Sequence, residues 1–177
     1  MCQGSRAARS ILPSTPPQPC SHSPSLFLSP PHSSIYEAIG RGAHSVVYKG
    51  RKKQTIQYYA IKSVAKSRKP RVLQEVRAMH ALAHPAVLAF HAWYETSNHL
   101  WLVLEYCVGG DVLGLLASDG ALPEGAVHDL GCGLAAGLAA LHGAGGLHRD
   151  VKPSNLLLDE AGSAKLGGFG LSVRPGR

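Results

Sequence analysis

Gly40 and Gly42 in "IGRGAHSVVYKG" sit at a turn between two strand-like runs, with Ser45 and Val47 following. Backbone without side chains can approach phosphate oxygens and present N–H groups to them, which makes this turn a candidate phosphate cradle. A glycine-rich hairpin with no ligand reads the same way. It is not a P-loop of the GxxxxGK[ST] kind, because no Lys-Ser/Thr follows and no helix opens there. Fifteen residues after Val47, "YAIK" places Lys62 at the end of a strand, and Glu75 falls in the next helical run. A Lys–Glu pair facing the glycine turn would orient an ammonium toward phosphate oxygens. Taken singly, Lys62 reads as a surface lysine and Glu75 as a solvated helix residue; their order behind the turn favours the pair. Further on, "HRDVKPSNLLL" carries Asp150, Lys152 and Asn155 at fixed spacing behind His148 and Arg149 and leads into an apolar strand.

These groups need a scaffold. "SIYEAIGRG", "SVVYKGR" and "IQYYAIK" are short β-branched and aromatic runs separated by Gly or polar breaks, which predicts three antiparallel strands. "KPRVLQEVRAMHAL" then sets Leu73, Val76, Met79 and Leu82 at helical spacing behind Pro70, so one amphipathic helix carries Glu75. "AVLAFHAWYE" and "HLWLVLEYC" predict two more strands. After a Gly-Gly-Asp break, Pro123 opens a second helix with an apolar stripe of Val127, Leu130, Leu134, Leu138 and Leu141. Gly131, Gly133 and Gly137 within it cost roughly 1 kcal/mol each against Ala, so tertiary packing must hold it.

With 177 residues, 45% hydrophobic and 16% charged, the chain reads as a soluble globular protein. Its longest uncharged apolar run, Leu130 to Leu141, falls short of the roughly 20 residues that span a bilayer, so no membrane span is expected. The four cysteines, Cys2, Cys20, Cys107 and Cys132, form no CxxC pair and read as free thiols in a reducing, cytoplasmic setting. Residues 1–34 are Ser/Pro-rich and lack hydrophobic periodicity, so a disordered extension is expected; the same composition also fits an organellar transit peptide. The net charge of +7 is concentrated: no acid stands between Glu37 and Glu75, where Arg41, Lys49, Arg51, Lys52, Lys53, Lys62, Lys66, Arg68, Lys69 and Arg71 fall. The segment reads as a solvated basic face or as a surface for a phosphate-bearing ligand or an acidic protein. Neither zinc-finger spacing nor an aromatic-interleaved RNA signature accompanies it, so nucleic acid is not the expected partner. His80 and His84 stand four apart beside "HPAV", where turn and packing roles are expected rather than zinc.

"HRDVKPSNLLL" resembles the protein-kinase catalytic loop, and the glycine turn, "AIK" and the helix Glu precede it in the kinase order. The resemblance runs from about Ile35 to the C-terminus. It implies an α+β protein-kinase-like fold: a complete N-lobe (35–105) of five antiparallel strands and one helix, a hinge (105–110), and only the first part of a helical C-lobe (111–177). It implies ATP and Mg²⁺ as cofactors and protein Ser/Thr hydroxyls as substrate. Asp150 would accept or orient the hydroxyl proton, Lys152 would stabilise transferring phosphate charge, and Asn155 would ligate Mg²⁺. Lysine two positions after the aspartate resembles the serine/threonine class rather than the tyrosine class. In "LVLEYCVGGD", Leu104 matches the gatekeeper, Glu105 to Cys107 the hinge whose backbone bonds adenine, and Asp111 the acid that reaches the ribose. Val47, Ala60 and Leu157 match the residues that sandwich the purine, and Met79, Phe90, His148 and Phe169 the apolar spine between the lobes. Ordinary core packing accounts for these last seven equally well. "IGRGAHSVVYKGRKKQTIQY" and "WYETSNHLWLVLEYCVGGD" resemble the fused/Unc-51-like branch, of the Runkel-like kind, whose members are associated with microtubules and cilia.

Two departures stand out. Where the family has Asp-Phe-Gly, "KLGGFG" has Gly168-Phe169-Gly170, so the carboxylate that bridges Mg²⁺ to the phosphates is replaced by a hydrogen. Asp159 and Glu160 lie in what reads as a strand-connecting turn, away from the metal. The sequence as given also runs only seven residues past Gly170, to Arg177, so a truncated domain is expected, with no partner in view for Arg149. Two function classes follow: a serine/threonine kinase domain, impaired by Gly168 and truncation, and a pseudokinase-type binding module that docks a partner, a cytoskeletal one on the branch resemblance.

Overall fold

The sheet that carries Lys62 is a meander whose strand lengths follow the alternation in the sequence. In the computed structural model, which describes residues 33–174, β1 (Ser33–Gly42), β2 (Ser45–Lys52), β3 (Tyr58–Ala65), β4 (Phe90–Glu95) and β5 (His99–Glu105) form one antiparallel sheet in the order β1-β2-β3-β5-β4. The three expected strands are β1 to β3 and the two further ones β4 and β5. The extension expected over 1–34 lies outside the described residues except for Ser33 and Ser34, which begin β1. Ile56, read as part of the third strand, is 91% exposed in the turn before β3.

Helix α1 (Lys69–His80) packs beneath the sheet with Pro70 in its first turn. Its buried face is Val72, Glu75, Val76 and Met79, one residue round from the expected stripe, so Glu75 is not a solvated helix residue but sits 5% exposed. Leu82, expected on the helix, lies beyond its end, where its N–H donates to the Met79 carbonyl at 3.0 Å and its side chain remains in the core.

Two helices follow the sheet. The Gly-Gly-Asp stretch, read as a break only, starts α2 (Val112–Asp119), and Asp111 caps it by accepting the Gly114 N–H at 2.7 Å. The helix behind Pro123 is α3 (Glu124–Gly143). Of its stripe only Leu141 is fully buried, and Val127 is 52% exposed. Its glycines make a close approach possible: a Cβ on Gly133 would fall 2.7 Å from the Ala164 Cβ, and one on Gly137 2.8 Å from the Ala86 carbonyl oxygen. Against that face lies the hairpin of β6 (Leu156–Leu158) and β7 (Ala164–Leu166). Leu88 N–H donates to Leu166 O at 2.9 Å and Leu166 N–H to Ala86 O at 2.8 Å, which splices the hairpin onto the chain entering β4. One core therefore joins sheet, α1 and hairpin, with Leu100, Leu102, Val76, Leu166 and Phe169 fully buried in it. Among the described residues no helix is long and apolar enough to cross a membrane.

Candidate active site

Lys62 reaches the cleft because β3 sets it opposite Val47 on one side and Leu102 on the other. Its Nζ lies 2.6 Å from Glu75 Oε1, with the side chains 21% and 7% exposed. A carboxylate this buried requires a charge partner, and the sheet supplies it. The pair opens onto a cavity of about 390 Å³ that the His44–Ser45 turn roofs and that Asp150, Gly170, Arg68 and Arg71 also line. Gly40 pairs with Val47 and Gly42 with Ser45 across this hairpin. Val47, Ala60 and Leu157 are half-buried, the last two packed on the main core.

Asp150 is held from three directions. Lys152 Nζ lies 2.9 Å from its Oδ2, Asn155 Nδ2 donates to the same oxygen at 3.0 Å, and its backbone N–H donates to His148 Nδ1 at 3.3 Å. The Lys152 hydrogen bond holds the Asp150 carboxyl below its ordinary range against the opposing effect of burial, and the Asn155 hydrogen bond and the Lys152 charge add to it. Asn155 Nδ2 also donates to the Asp150 carbonyl at 2.7 Å. His148, 2% exposed, meets Gly167 O through Nε2 at 2.8 Å and Phe169 edge-on at 5.1 Å between ring centres. With Nδ1 accepting an N–H, those two bonds place the ring proton on Nε2. Met79 and Phe169 are buried in the core and Phe90 packs against it, so the four spine residues belong to or border one cluster. Arg149, for which the sequence offered no partner, has φ 65° and donates from Nε to Leu171 O at 2.8 Å.

At the hinge, Leu104 is buried, and Asp111 already spends one carboxylate oxygen on its helix cap. The Glu105 carboxylate is engaged within the protein: Oε2 accepts the Ala89 N–H at 3.0 Å and Oε1 pairs with Lys165 at 2.8 Å. Burial opposes the charge on Lys165, but Glu105 and then Asp159 outweigh it and raise its pKa. Lys165 is the residue sequence reasoning missed, since an isolated Lys in a three-residue strand carries no local signal. Arg68 and Arg71, read from the sequence only as part of the basic segment, line the cavity itself. Burial, then the Glu105 charge, pushes the Cys107 thiol up to about 12, so it is not a nucleophile at neutral pH.

The basic segment is partly neutralised from within. Lys66 and Lys69 both clasp Glu95 at 2.7 Å, and the Lys49 ammonium lies 4.7 Å from the Tyr58 ring centre and 5.0 Å from that of Tyr106. His80 meets Phe90 edge-on and His84 accepts the Ala86 N–H, the packing and turn roles expected of them. Asp159 accepts the N–H groups of Ala161 and Ser163 in the β6–β7 turn, and among the described residues no three His, Cys, Asp or Glu side chains cluster to hold a metal.

A five-stranded sheet over one helix, a Lys–Glu pair and an Asp-Lys-Asn loop closing on the same cleft define a class, and the family comparison agrees: the protein kinase domain model matches residues 33–176, and the chain belongs to that family. It is 62% identical over 138 residues to the serine/threonine-protein kinase RUNKEL of Arabidopsis thaliana, covering 78% of this chain and 10% of that protein. Identity is 45% over 138 residues to the serine/threonine-protein kinase ULK4 of Mus musculus, covering 78% of this chain and 11% of that one. To the maternal embryonic leucine zipper kinase of Danio rerio it is 37% over 148 residues, 81% of this chain and 22% of that one. The chain thus spans about a tenth of the length of the first two. The expected kinase fold, serine/threonine class and Runkel-like branch stand on these matches.

Proposed function

We propose that the chain is an ATP-binding serine/threonine protein kinase domain whose phosphotransfer is impaired by Gly168. One observation carries this: the Lys62–Glu75 pair at 2.6 Å shares a cleft with Asp150, while position 168 offers no carboxylate. The residues present suit a nucleotide, with half-buried apolar side chains at Val47, Ala60 and Leu157, the positions expected to flank the purine, and an ammonium oriented by a buried acid. They do not suit Mg²⁺, since the donors left are the Asn155 amide oxygen and a carboxylate already bonded to Lys152 and Asn155.

Bound ATP supplies the transferable phosphoryl group. Lys62, fixed by Glu75, binds phosphate oxygens, and the side-chain-poor strands at Gly40 and Gly42 cover them. Asp150, ionised because Lys152 and Asn155 favour its anion, takes the proton of an incoming protein Ser or Thr hydroxyl, and Lys152 offsets the negative charge there. Loss of one positioned charge partner slows phosphotransfer by about 10²-fold or more, at about 1.4 kcal/mol per tenfold. Thermal unfolding with ATP, in Mg²⁺ and in EDTA, is the test. Equal stabilisation in both is expected; none in either discards nucleotide binding.

Gly168 also favours a second reading, a binding module in which the kinase fold and basic sheet dock an acidic, microtubule-associated partner. Phosphate transfer from radiolabelled ATP to a generic Ser/Thr substrate, abolished by Asp150→Asn, would eliminate that reading. The free thiols Cys107 and Cys132 support a cytoplasmic location.

A further inference from the structure

In β2 Lys49 follows Val47 by two residues, and in β3 Tyr58 precedes Ala60 by two. Side chains two apart on a strand stand on one face of the sheet. Lys49 and Tyr58 therefore share the face of Val47 and Ala60, two of the positions expected to flank the purine. The register agrees, with Lys49 opposite Ala60 and Arg51 opposite Tyr58. On the β5 side of β3, Tyr59 stands opposite Glu105, so this end of the sheet is the one that runs into the hinge. There Tyr106 meets the strands. Its ring centre lies 6.2 Å from that of Tyr58, and the Lys49 ammonium sits 4.7 Å from the Tyr58 ring centre and 5.0 Å from that of Tyr106. Both distances fall inside the roughly 6 Å within which a ring face attracts a cation. Beyond Tyr106 the hinge is bonded to β6, with Gly109 N–H donating to Leu158 O at 3.0 Å and Leu158 N–H to Gly110 O at 2.9 Å. Lys49 thus ties the strand of Val47 to the hinge, while backbone bonds tie the hinge to the hairpin.

We propose that Lys49 is a positioning residue for the purine: by holding the rings of Tyr58 and Tyr106 to one ammonium, it fixes the spacing between the strand that carries Val47 and the hinge. The width of the purine slot follows from that spacing. Lys49 acts through the two tyrosines and not on phosphate, which is the task of Lys62. This deepens the reading of the cleft as a nucleotide site and rests on it.

Calorimetric titration of the full chain with ATP and with adenosine, in EDTA, is the test. Lys49→Met keeps the length of the side chain and removes its charge. It is expected to weaken both ligands alike, by about threefold to tenfold, a range that two exposed cation–π contacts can supply. Lys49→Arg retains a cation that packs on aromatic rings and should bind as the wild type does. Tyr106→Leu, which changes no charge, should reproduce the loss, and the Lys49→Met/Tyr106→Leu double variant should lose no more than either single one. A loss confined to ATP, with adenosine unaffected, would mean that Lys49 serves phosphate charge and overturns the proposal. Additive losses in the double variant overturn it as well. If wild type binds neither ligand, the nucleotide reading falls and this inference with it; if wild type and Lys49→Met bind ATP equally, the inference alone falls.

Discussion

Lys165 of β7 lies 2.8 Å from Glu105 at the end of β5, so one ion pair joins the five-stranded sheet to the hairpin that leads into Gly168. Both side chains are mostly buried, at 15% and 24% exposure, and Glu105 also holds the Ala89 N–H. Lys165→Met strands a partly buried carboxylate and is expected to cost about 1–3 kcal/mol in urea unfolding. Amide hydrogen exchange over residues 105–110 should quicken with it. No change in that segment would mean that the pair does not tie the lobes together.

Lys62→Met leaves Glu75 charged and 5% exposed without its partner, and destabilisation of about 2–4 kcal/mol is expected. The Lys62→Met/Glu75→Leu double variant removes both charges and should recover most of that loss while binding no ATP. Chemical denaturation and calorimetry on the three proteins separate the structural role of the pair from its ligand role.

The glycines of α3 should respond with opposite signs. A Cβ on Gly131 meets nothing within 4 Å, so Gly131→Ala is expected to stabilise by about 0.5–1 kcal/mol through helix propensity. Gly137→Ala drives a methyl to 2.8 Å from the Ala86 carbonyl oxygen and is expected to cost about 1–3 kcal/mol. Equal stabilisation by both would show that α3 does not pack on the hairpin as described.

Cys107 binds its proton more tightly folded than unfolded, its pKa rising from 9.0 to about 12. The associated stability is present below pH 9 and is lost as pH climbs toward 12, because the unfolded chain releases the proton first. Cys107→Ala should flatten that alkaline decline. Iodoacetamide at pH 8, mapped by mass spectrometry, should label exposed Cys132 well before buried Cys107.

Much of the site was legible from order and spacing. Lys62, Glu75 and Asp150, singled out by motif order, line one cavity, and Lys152 and Asn155 bond Asp150 from the same loop. The α2 helix was missed although Asp111 ahead of "VLGLLA" is an N-cap signal, since the glycines before it read more strongly as a break. The α1 face was displaced by one residue because Leu73 scored as core while the sheet preferred to bury Glu75 beneath Lys62. Apolar spacing does not register a buried ion pair.

By itself the sequence determined the strands of the sheet, the helices that carry Glu75 and follow Pro123, the family, and the replacement of a carboxylate by Gly168, because periodicity, turn chemistry and motif order are local properties of the chain. Only the tertiary structure decided that the Asn155 amide lies beside Gly168, that Lys165 reaches Glu105, and that Gly133 and Gly137 seat α3 on the hairpin. Each of these depends on how closely distant segments approach, a matter of tenths of an ångström in a close-packed interior.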